Sequence, residues 1–109
     1  MHEPIEIAKH MKTIIARLAE EKENLQDLIQ AKADAMCAYD KGLGVRSLIH
    51  KEAGMQTTLI PHQAKADCSE LLRDKIVAEE ALKAKYSVIE ILKAQLNGFQ
   101  SINRHLSVS

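Results

Sequence analysis

The side chains of this chain that could do chemistry are few and widely spaced. Histidines stand at His2, His10, His50, His62 and His105, thiols at Cys37 and Cys68, and acids gather at Glu20, Glu21 and Glu23 and again at Glu70 and Asp74. Each type needs partners at a set spacing before it becomes a site. A zinc centre wants Cys and His ligands in close pairs, and the two cysteines form neither a C-x-x-C pair nor a disulfide framework. A carboxylate-bridged di-iron bundle wants Glu-x-x-His, and no histidine here has a glutamate three positions before it. The acidic residues superficially match the magnesium-binding helices of all-α nucleotide pyrophosphohydrolases, a reading that requires Glu20, Glu23, Glu70 and Asp74 to converge. Phosphate-cradling glycine loops, catalytic triads and nucleophile elbows are not present in the sequence. No catalytic residue, cofactor or metal is therefore expected, and the chain reads as a non-enzyme.

The elements that would position any such groups are helices. Aromatic residues make up only 3% of the 109 residues, too few for the thick core of a globule, while Ala, Leu, Ile, Glu and Lys prevail. One domain over 1–109 fits this length. The formal net charge is zero, so no chain-wide basic field exists to gather nucleic acid or an anionic membrane surface. No apolar run reaches the ~20 residues needed to span a bilayer, and Met1-His2-Glu3-Pro4 lacks the basic and apolar regions of a signal peptide. A cytoplasmic location is expected.

Apolar residues alternate by three and four through Ile7, Met11, Ile14, Leu18, Leu25, Leu28, Ala35 and Tyr39, which is a heptad seam interrupted by Glu21 and Lys32. It predicts a first helix over about 5–53. Gly42 and Gly44 are its weak point: the helix continues or kinks there, or breaks in two, or the small residues admit a close neighbour. The turn is expected over about 54–60, with Gly54 as a left-handed C-terminal cap, Thr57 or Thr58 as N-cap, and Pro61 in the first turn that follows. A second helix over about 61–106 carries the seam Cys68, Leu71, Ala78, Leu82, Ile89, Leu92, Leu96, Phe99 and Leu106, interrupted by Lys75, Lys85 and Asn103. The fold class is all-α: a long antiparallel helical hairpin, or coiled coil.

A hairpin constrains which groups can meet. Folding about the turn should bring His50 near His62, His10 near His105, and Glu21 near Leu92, while holding Cys37 and Cys68 too far apart to bridge and packing both as small apolar side chains. One seam also leaves apolar residues over. Ile15, Ile29, Met36 and Leu43 on the first helix, and Val77, Ala84 and Ile91 on the second, repeat at multiples of seven beside the main seam. A two-fold dimer forming a four-helix bundle would bury this second stripe, with Tyr39, Tyr86 and Phe99 as core filling; higher oligomers or another protein would cover the same surface.

The stretch Leu96 to Leu106 differs from the rest of the wet surface, bringing amides and a guanidinium at Asn97, Gln100, Asn103 and Arg104 where Lys and Glu otherwise serve. These are candidate interaction residues, and a buried Asn103 would fix register. Ala38-Tyr39-Asp40-Lys41 with Leu43, then Thr58-Leu59-Ile60-Pro61 with Ala64-Lys65, and finally Ala94-Gln95-Leu96-Asn97-Gly98-Phe99-Gln100-Ser101-Ile102-Asn103 together resemble a family of small helical-hairpin proteins encoded by phages and prophages, mainly of Firmicutes. The likeness covers roughly residues 16 to 106, and Leu96 to Asn103 is its most specific part. The family has no settled activity, so the resemblance carries over no catalytic residue. It implies an intracellular, non-virion setting beside phage replication and recombination genes. This chain departs from it in having a short, glycine-poor turn where relatives often carry a longer insert. The expected function is protein–protein interaction, as an accessory factor or inhibitor of a host complex; the alternative is a single-strand nucleic-acid-binding accessory protein of phage replication or recombination.

Overall fold

The computed structural model describes residues 3–108, with side chains described through 106. Its helices are α1, Pro4–Glu23; α2, Leu25–Glu52; α3, Ile60–Asp67; and α4, Ser69–Val108. The chain is all-α and folds as a helical hairpin. It groups into two compact units, Met1–Gln26 with Lys83–Ser109, and Asp27–Leu82.

In the first unit α1 packs on the C-terminal part of α4. Ile7, Ile14, Ile89 and Leu92 are buried, with Met11, Leu18, Leu96 and Phe99 half-buried around them. His10 stacks on Phe99, ring centroids 5.2 Å apart, and Lys85 Nζ donates to Glu21 Oε2 at 2.7 Å. Lower numbers on α1 meet higher numbers on α4, so the two run antiparallel. His10 thus meets Phe99, and Glu21 meets Lys85, one heptad from the Leu92 expected opposite it.

In the second unit α2 packs on α3 and the start of α4. Tyr39, Ile60, Ala64, Cys68 and Leu82 are buried. Lys75 Nζ lies 5.1 Å from the centroid of the Tyr39 ring, a cation–π contact that places a charged seam residue without burying its ammonium unpaired. Tyr39 and Phe99 therefore belong to the hairpin's own packing, and only Tyr86 of the three aromatics is exposed.

The expected helices acquire one interruption each, and neither is at the glycines. Asn24 (φ −100°, ψ 11°) separates α1 from α2, and Cys68 (φ −100°, ψ 19°) separates α3 from α4. Asn is a poor helix former because its amide competes for backbone groups. At Cys68 the inward spacing changes: Ile60, Ala64, Cys68 and Leu71 step by four, four and three, a stutter in the heptad alternation. The facing helix repeats it through Tyr39, Leu43, Ser47 and His50, all buried or half-buried. This shift turns Val45, Leu48 and Ile49 outward, 45–57% exposed, although they read as the seam resuming.

Gly42 and Gly44 lie inside unbroken α2. A Cβ on Gly42 would sit 2.7 Å from Leu71 Cδ1 and 3.2 Å from Cys68 Sγ, so here the missing side chain permits close approach; at Gly44 a Cβ would meet open space. The turn begins with a Schellman cap: Gly54, at φ +85°, donates to Lys51 O at 3.1 Å and Met55 to His50 O at 3.0 Å. Neither Thr57 nor Thr58 caps α3, whose N-cap is Leu59 with no side-chain cap.

Candidate functional site

Polar groups come together in two places. At the turn end of the second unit, His50 Nε2 and Asp67 Oδ2 are 2.5 Å apart, with side chains 17% and 21% exposed. Gln63 Nε2 donates to the other oxygen, Oδ1, at 3.0 Å. His50 therefore joins the last turn of α2 to the end of α3, and its partner is an acid, not His62. The hydrogen bond from His50, with that from Gln63, holds the Asp67 carboxyl below the usual carboxylate range. Asp67 also borders an open groove of about 380 Å³ floored by Gly42, Cys68 and Leu71 and rimmed by Lys41 and Arg46.

Within the first unit, Gln100, Asn103 and Arg104 line an open cavity of about 310 Å³ together with Met11. Three of the four amide and guanidinium residues expected to act together thus share one surface, while Asn97 lies outside the cavity lining. Arg104 Nη2 donates to Ser101 Oγ at 3.4 Å. Asn103 is exposed in the protomer, so it does not lock the register within the hairpin.

Several expected groupings are not formed. Among the described residues no group of three or more His, Cys, Asp or Glu is placed to hold a metal ion. Cys68 is buried as expected, but Cys37 is exposed, and both thiols are free. No described helix is long and apolar enough to cross a membrane.

Apolar side chains are also exposed. Ile15, Ile29, Met36, Val77 and Ile91 are 36–59% exposed, Ala84 is exposed with them, and Leu43 alone of the expected outer stripe is half-buried because the stutter turns it inward. Inward positions 14, 28 and 35 precede Ile15, Ile29 and Met36 by one residue, which puts the outer stripe about 100° around each helix.

The missed interactions had signals in the sequence. Glu21 and Lys85 both interrupt a seam, with opposite charge, and two such interruptions are satisfied by meeting each other. The paired stutters that bring His50 to Asp67 were visible as steps of four. Compared with known proteins, the chain stands alone: no family model, curated protein or solved structure matches it, and the functional reading rests on its surfaces.

Proposed function

We propose that this chain is a non-enzymatic, self-associating helical-hairpin protein of the phage and prophage kind, working in the cytoplasm by binding another protein as accessory factor or inhibitor. The observation that carries the reading is the exposed heptad-spaced stripe of Ile15, Ile29, Met36, Val77 and Ile91, on helices whose inner seam is already occupied. Soluble monomers rarely leave large apolar patches in water, and each unit exposes side chains of this stripe. Sedimentation equilibrium across a range of concentrations tests it. A mass that is a multiple of 12.2 kDa supports association, and a monomer at every concentration refutes it. Affinity capture from the native host then seeks the heterologous partner.

A second reading, contact with single-stranded nucleic acid, draws on the cavity of Met11, Gln100, Asn103 and Arg104 beside a stacked ring pair, since stacking groups with a cation suit unpaired bases. A mobility-shift titration separates the two: no shift of single-stranded DNA at low salt removes the second reading.

A further inference from the structure

Within the first unit, α4 carries a second heptad seam that the described residues leave largely exposed. Ala84, Val88, Ile91, Gln95, Gly98 and Ile102 follow one another by four and three. All are exposed except half-buried Val88, with Ile91 at 58% and Ile102 at 41%. A Cβ at Gly98 would meet open space. None of the six is charged, in a chain of which 28% of residues are. Of the charges of this stretch, Lys83, Glu90 and Lys93 fall on other faces and Lys85, on the inner flank, is paired with Glu21; the flanking positions nearest the seam on its outer side are Ser87, Ala94 and Ser101. Inward residues Ile89, Leu92 and Leu96 lie about 100° around the helix from this seam, close to the angle at which a helix in a four-helix bundle meets its two neighbours.

We infer that this face pairs with the same face of a second copy, α4 antiparallel to α4, about a two-fold axis level with Lys93. The inference rests on the self-association proposed above and specifies its geometry. Size decides the direction and register. An antiparallel coiled coil sets positions of one type against those of the other, and this register places Ala84 opposite Ile102, Val88 opposite Gly98, and Ile91 opposite Gln95, each larger side chain facing a smaller one or an amide. A parallel pair would instead set Gly98 on Gly98 and Ile91 on Ile91, a void beside a crowded layer. Sliding one helix of the antiparallel pair by a heptad sets Val88 on Ile91 and, just beyond, Gly98 on Ala81, with the same mismatch. The two Gln95 amides approach across the axis, giving each a partner of its own kind. With no charge on either surface the pairing meets no like-charge repulsion.

Two measurements on the full chain test this. In sedimentation, the wild type is expected at twice 12.2 kDa, while Ile91→Lys and Gly98→Lys, both placed where the protomer leaves room, keep their helical circular dichroism and fall to the protomer mass. In a Cys37→Ser background, Val88→Cys with Gly98→Cys is expected to cross-link two chains under mild oxidation, whereas Ala84→Cys with Gln95→Cys does not; ten residues of helix, roughly 15 Å, prevent bridging of the first pair within one chain. A dimer that survives both lysine variants overturns the α4 interface but leaves self-association standing. Cross-linking by the second pair alone overturns the register, and a monomeric wild type ends both proposals.

Discussion

Glu21 and Lys85 stand where each helix should present an apolar residue, and the consequences of removing them can be worked out from their burial. Their side chains are 26% and 17% exposed and 2.7 Å apart. Replacing Lys85 by Leu leaves a largely shielded carboxylate without its cation, a loss of about 1–3 kcal/mol, which the partly wet site moderates. The new leucine gains about 1–2 kcal/mol by burial in the seam, so this variant should fall between neutral and about 2 kcal/mol less stable than wild type. Glu21→Leu has the mirror-image effect on Lys85. The double variant removes both charges and sets Leu on Leu, and should exceed wild type by about 1–2 kcal/mol, because a well-packed apolar pair often outdoes the ion pair it replaces. The assay is urea denaturation of all four proteins at one fixed protomer concentration, followed by helical circular dichroism, since association shifts apparent stability. Coupling above about 1 kcal/mol is expected. If the two single effects add to within about 0.5 kcal/mol, or the double variant is the least stable of the four, the pairing of seam interruptions is refuted.

The two glycines of α2 should separate cleanly. Gly44→Ala is expected to stabilise by about 1 kcal/mol through helix propensity alone, whereas Gly42→Val, thrust against Leu71 and Cys68, should cost about 1–3 kcal/mol by overpacking; thermal melts that rank the two the other way contradict the close approach. Asp67, whose carboxyl titrates below its ordinary range because of His50 and Gln63, contributes stability that is present above the unfolded carboxylate value of about 3.9 and lost as pH falls through its lower folded value. Urea midpoints of wild type and Asp67→Asn should therefore differ at pH 5 and converge in strong acid, and a gap unchanged by acid would disprove the clasp. Gln100→Ala with Arg104→Ala should leave the sedimentation mass unaltered, since neither residue lies on the α4 pairing face; dissociation would show that the interface is elsewhere.

Periodicity made the inner seam legible residue by residue. Ile7, Ile14, Cys68, Leu82, Ile89 and Leu92 are all buried where the alternation of three and four puts them, and Gly54 caps α2 in the left-handed conformation that its residue type suits. What escaped depends on local winding. A single non-helical residue at Asn24 or Cys68 costs no apolar position and leaves no composition signal, whereas the glycine pair, the weak point that propensity singles out, lies inside unbroken α2. His50 was matched to His62 by counting from the turn, and that count fails once both strands of the hairpin stutter. Side-chain reach limits it too: Lys85 and Glu21 are long enough to meet a full heptad from the level at which their backbones were expected to pass.

The inner and outer surfaces of α4 divide two tasks that one seam could not perform. Inside the first unit the seam is marked by groups that tolerate only one partner, Lys85 on Glu21 and Phe99 on His10, so slippage would strand a charge or a ring, and these contacts set how the hairpin closes. Outside, Ala84, Val88, Ile91, Gln95, Gly98 and Ile102 offer shape without charge, and a face of that kind discriminates through fit alone. Fit is best satisfied by a surface whose large and small residues are arranged in the reverse order, and along an antiparallel two-fold the chain itself supplies one.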